Sequence, residues 1–159
     1  MPYPAPENDF LVAHAALLVQ SYRRLLRREL IPDSVPGHSI SYQLFHAPFA
    51  VLSHNTADEP VFNYANLAAM ELFGYGFEEI TAIPSRLSAE PVTQAERNAM
   101  LAKVAKFGYI DDYSGVRIAK NGRRFRINNA VVWNLLDPAD VYQGQAACIT
   151  DWVFLPAGK

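Results

Sequence analysis

The run from Pro60 to Ile80 restricts this chain more than any other stretch. Pro60-Val61-Phe62 reads as a short apolar strand and leads straight into Asn63-Tyr64-Ala65-Asn66. Asn66 stands where a helix N-cap belongs, since its side chain can accept a bond from an orphan backbone N–H. Leu67, Met70 and Phe73 follow at helical spacing, with Ala69 and Leu72 flanking the same stripe. Gly74 then supplies the left-handed residue that stops a helix. Glu78 and Glu79 suit the first turn of a second short helix, where negative charge meets the positive end of the helix dipole.

The chain's 159 residues suffice for one domain with a real core. Half are hydrophobic and 19% are charged, a soluble globular composition. The formal net charge of -2 leaves no basic excess to offset many phosphates, so no nucleic-acid partner is expected. A single cysteine, Cys148, excludes an intramolecular disulfide and a CxxC motif. No apolar run is long enough to span a membrane. The opening Met1-Pro2-Tyr3-Pro4-Ala5-Pro6-Glu7 lacks the basic and apolar regions of a secretion signal. A cytoplasmic location is the expectation.

Residues 1–8 are proline-rich and read as loose. Asp9 can cap a helix running to about Leu30, with Leu11, Ala15, Leu18, Tyr22, Leu25, Leu26 and Leu30 as its apolar stripe. Arg23, Arg24, Arg27 and Arg28 crowd its C-terminal end, where positive charge is favourable. Phe49 to Ser53 reads as a strand, and Thr56 to Glu59 as the turn before the next. Pro84 to Pro91 is an irregular bridge. Thr93 with Glu96 forms a capping box for a helix that stops at Gly108. Three strands close the chain: Tyr109–Ala119, Arg124–Leu136 and Tyr142–Phe154. Lys120-Asn121-Gly122-Arg123 is a hairpin turn between the first two. The expected fold class is α+β: a five-stranded antiparallel sheet with short helices on one face, plus an N-terminal helix. Residues 1–45 would form the helical extension and 46–159 the main domain.

This element order resembles a PAS domain over about residues 46–155. The sequence is similar, more specifically, to the PAS-related MEKHLA family. The resemblance rests on Pro60 to Asn66, on Leu72-Phe73-Gly74-Tyr75 and on Pro84-Ser85-Arg86-Leu87-Ser88-Ala89-Glu90-Pro91. It continues in Asp112-Tyr113-Ser114-Gly115-Val116-Arg117-Ile118, Gly122-Arg123-Arg124-Phe125, Val132-Trp133-Asn134-Leu135 and Gly144-Gln145-Ala146-Ala147. The family occurs as stand-alone bacterial proteins and as the C-terminal domain of plant homeodomain–leucine-zipper regulators, where it is linked to dimerisation. The stand-alone form is expected here. PAS relatives bind haem, flavins, small metabolites or nothing, so the resemblance implies a sensor or interaction module without naming a ligand.

Strand alternation proposes which side chains face a pocket between sheet and helices. In the strand 124–136 the odd residues Phe125, Ile127, Asn129, Val131, Trp133 and Leu135 are far more apolar than the even ones. They are expected inside. Asn129 would then be a buried amide, bonded either to backbone or water or to a ligand. Strand 109–119 stays open. Apolar count favours its even face, whereas comparison with flavin-binding PAS domains puts Tyr113 and Arg117 inside. An inward Arg117 needs a carboxylate partner; an outward one would pair with Asp111 or Asp112. The same comparison places Ala146, Cys148 and Trp152 inward, with Cys148 as a small buried hydrophobe. Arg86 is a further polar candidate, either for the ligand or for carbonyls of the bridge.

The flavin-photochemical PAS class needs a cysteine in the bridge, which here reads Ser85-Arg86-Leu87-Ser88. Haem-binding PAS domains usually carry an axial histidine on the long helix, and positions 94–107 hold none. No resident flavin, haem or metal is expected. The leading expectation is a non-enzymatic sensory or interaction domain, homodimeric through its N-terminal helix and sheet, binding a small metabolite or a signalling partner. The alternatives are a small enzyme with Tyr113 as acid and Arg117 as anion holder, or a dimerisation module without a ligand.

Overall fold

A computed structural model describes residues 3–32, 35–89 and 94–156. The helices are α1 (Val12–Leu26), α2 (Ile40–Phe45), α3 (Leu67–Phe73), α4 (Phe77–Ile80) and α5 (Gln94–Phe107). The strands are β1 (Ala50–His54), β2 (Phe62–Ala65), β3 (Tyr109–Ile118), β4 (Arg124–Leu136), β5 (Tyr142–Ile149) and β6 (Trp152–Phe154). The sheet runs β2-β1-β5-β4-β3 with antiparallel neighbours throughout. The expected last strand splits in two, and β6 pairs with β4 at Phe125–Ile127.

Asn66 is fully buried and caps α3, its Oδ1 accepting from the Ala69 and Val51 N–H groups. Its Nδ2 donates to the Leu44 and Phe49 carbonyls, so one amide ties α2, β1 and α3 together. Gly74 ends α3 in the left-handed region at φ 77°. Glu79 accepts from the Gly76 N–H at the start of α4 and reaches Lys120 on the β3–β4 turn.

The N-terminal region departs from expectation. Helix α1 starts at Val12 and not beside Asp9, because Asp9, Phe10 and Leu11 all take positive φ (50°, 55° and 56°). That turn packs Phe10 and Leu11 on the core in place of a side-chain cap. The helix ends at Leu26, leaving the buried Leu30 outside it. Residues 3–8 are anchored, with the Tyr3 ring edge-on to Phe45 and Phe77 and a 3-10 turn at Pro6–Asn8. Thr93 of the expected capping box lies outside the described residues.

Two apolar layers sandwich the sheet. On one face Phe62, Met70, Phe73, Phe77, Met100 and Val104 pack on Leu52, Phe125, Ile127, Val132 and Ile149. On the other, Ala15, Leu18, Val19 and Tyr22 of α1 pack on Val51, Tyr64, Val131, Trp133, Leu135 and Cys148. Helix α1 therefore covers the outer sheet face, the surface on which its apolar stripe was expected to pack. No helix among the described residues is long and apolar enough to cross a membrane.

Candidate functional site

The cavity lies on the sheet face covered by α3 and α5, lined by β1, β3, β4, β5, α5 and the 3-10 turn Ser85–Ser88. About 60 Å³ is open to the centre of a water-sized sphere. Most of the wall is apolar: Leu52, Phe62, Phe73, Met100, Ile127, Val132 and Ile149. The polar side chains around it include Tyr113, Arg117 and Gln145.

Irregularities in β3 between Ile110 and Gly115 decide what faces the cavity there. Ile110 packs on the helix-covered side, yet beyond the irregularity the odd residues Tyr113 and Arg117 line the cavity. Neither uniform alternation describes the strand. Gly115 lies between these two. A Cβ at Gly115 would come within 2.6 Å of the Tyr113 hydroxyl, so the glycine makes room for the phenol.

Arg117 is 8% exposed. Its Nη2 donates to the Tyr113 Oη at 3.0 Å and its Nη1 to the Val116 carbonyl at 3.1 Å. The guanidinium also lies 5.2 Å from the Tyr113 ring centroid. No described carboxylate forms an ion pair with it. A guanidinium has five N–H donors in a planar fork. Tyr113, having accepted one bond, keeps its own O–H to donate. Together they form a donor set shaped for a carboxylate.

The other expected site residues fall elsewhere. Asn129 adopts φ 52° and is exposed, a one-residue bulge in β4. The bulge reverses the alternation: Phe125 and Ile127 precede it on the cavity side, and Ala130 and Val132 follow on that side. Trp133 is consequently displaced to the opposite face. There its Nε1 donates to the Leu18 carbonyl at 3.2 Å and its ring meets Tyr22 edge-on. Phe125 is fully buried on the cavity side and supports Phe73, which lines the cavity, edge-to-face at 5.2 Å. Arg86 points to solvent and pairs with Glu59 at 2.6 Å. Ala146 borders the cavity yet packs with Cys148 in the cluster under α1, and Trp152 packs against the opposite one. Burial pushes the Cys148 thiol up to about 12, which leaves it protonated and unreactive.

Sequence reasoning missed Gln145, Ser85 and Ser88. Gln145 sits in an alternating strand whose register was misassigned by one. Ser85 and Ser88 lie in a bridge with no periodicity to read. Gly115 carried the one legible signal, since glycine inside a strand marks a close approach. Among the described residues no group of three His, Cys, Asp or Glu side chains could hold a metal ion.

A family model described as the MEKHLA domain matches residues 12–154. The homeobox–leucine zipper protein HOX10 of Oryza sativa subsp. indica is 26% identical over 143 residues, covering 89% of this chain and 17% of that protein. The japonica counterpart matches equally. The chain thus spans under a fifth of these relatives' length. A PAS domain from Colwellia psychrerythraea has a TM-score of 0.61 at 13% identity, covering 70% of this chain and 92% of that one. An RNA-binding light-oxygen-voltage receptor scores 0.60 at 18% identity, covering 70% and 31%. The light-state dimer of the fungal blue-light photoreceptor Vivid scores 0.57 at 14% identity, covering 84% and 93%.

Proposed function

The chain belongs to the MEKHLA domain family, and we propose that it is a non-enzymatic sensory module that binds a partly apolar organic anion in the cavity beside Arg117. The carrying observation is a guanidinium at 8% exposure that lines a cavity and has no carboxylate partner among the described residues. A buried unpaired charge is costly, and a ligand carboxylate would offset that cost. Apolar walls around a few convergent polar groups are the usual make-up of a small-molecule site.

A flavin or haem does not fit this reading. Sites for ligands of that size run to about 300 Å³ or more, against about 60 Å³ here. The turn Ser85–Ser88 has no cysteine, and α5 has no histidine. The purified protein is therefore expected to be colourless.

Thermal-shift titration with straight-chain carboxylates tests the proposal. Carboxylates should raise the melting temperature of the wild-type chain. Arg117→Gln should weaken their binding by roughly 10- to 100-fold, the equivalent of one charge-assisted hydrogen bond. No stabilisation of the wild type, or equal binding by the variant, removes the proposal. Output through a homodimer belongs to the same reading. Light scattering across a concentration series, with and without carboxylate, should detect the dimer; a monomer throughout removes that part.

A further inference from the structure

The far end of the same cavity holds an acceptor with nothing to accept. Gln145 is 6% exposed and lines the cavity from β5. Its Nε2 donates to Asn134 Oδ1 at 3.0 Å, and Asn134 Nδ2 donates to the Val104 carbonyl on α5 at 3.1 Å. This relay fixes both amides, because turning Gln145 over would set its oxygen against the Asn134 oxygen. Gln145 Oε1 is left buried with no hydrogen-bond partner among the described residues. A buried acceptor normally finds a donor.

Register separates the two polar ends. Tyr113 pairs with Ala130 and Gln145 with Asn134, which is about 13 Å along β4 at ~3.3 Å per residue. Arg117 lies beyond Tyr113 on β3. Leu52, Val132 and Ala147 line the stretch between. A space of about 60 Å³ between groups whose backbone positions lie about 13 Å apart along β4 suits a slim ligand with a polar group at each end.

We propose that the ligand is an unbranched carboxylate whose far end carries a hydroxyl group. The carboxylate meets Arg117 and Tyr113, the chain fills the channel, and the terminal O–H donates to Gln145 Oε1. This rests on the reading of Arg117 as the anion site. Through Asn134, the filled Gln145 position would bear directly on the last turn of α5.

Calorimetric titration of the full chain with two series tests it: straight-chain carboxylates from butanoate to dodecanoate, and their ω-hydroxy counterparts. At one chain length, centred near decanoate, the ω-hydroxy compound should bind about tenfold tighter than its methyl-ended partner, the worth of one buried hydrogen bond. Gln145→Leu should abolish that preference. Gln145→Met, closer in length to the glutamine, should do the same, and it carries the test if the leucine variant fails to fold. Arg117-dependent binding with no gain from the hydroxyl at any length, or a preference that survives both substitutions, overturns the inference while the anion site stands. Binding by neither series overturns the anion site and the inference with it.

Discussion

Asn129 shows how one backbone angle redistributes a site. Its φ of 52° places it in the left-handed region, which asparagine tolerates better than most residues. As a consequence, every side chain after it in β4 faces opposite to what simple alternation implies. Asn129→Leu should therefore destabilise the fold by about 1–2 kcal/mol, because leucine resists positive φ. It should leave carboxylate affinity unchanged, since Asn129 is exposed outside the cavity. Urea unfolding alongside a binding titration checks both halves. An unchanged midpoint with lost binding would return Asn129 to the site.

The elements were legible where the signal was local. The Asn66 cap, the Gly74 stop and the Asn121-Gly122 hairpin all follow from short-range chemistry and pattern. The N-terminal turn was not, because Phe10 and Leu11 gain tertiary packing that outweighs the cap Asp9 could have made. The face of β3 stayed open and that of β4 was misread, because bulges leave little trace in alternation. Docking of α1 on the sheet has a titratable component. The Ser53 hydroxyl donates to Asn63 Oδ1 at 2.6 Å, so its oxygen accepts from His14 Nε2–H at 2.9 Å. Burial lowers the His14 pKa from 6.5 to about 4. The unfolded chain takes up the proton first. The His14 contribution is therefore complete above about pH 6.5 and is lost as pH falls towards 4. The total loss is on the order of a few kcal/mol. Unfolding free energies at pH 7 and pH 4.5 should differ less in His14→Gln than in the wild type. Equal pH slopes in both proteins would show that His14 does not carry the effect.

At the scale of the molecule, the sheet divides two kinds of chemistry. Under α1 it is closed: Trp133, Leu135 and Tyr64 are fully buried and Cys148 is inert. Under α5 it is open enough to hold about 60 Å³ between Arg117 and Gln145. On the proposed reading, the ligand binds at the second face alone. Side-chain and amide NMR of the labelled chain, titrated with decanoate, reads both faces at once. The Arg117 Nε–H and the Tyr113 amide should shift progressively with ligand, while the Trp133 indole N–H stays within error. A moving Trp133 signal with Arg117 unmoved would put the ligand under α1 and contradict the account.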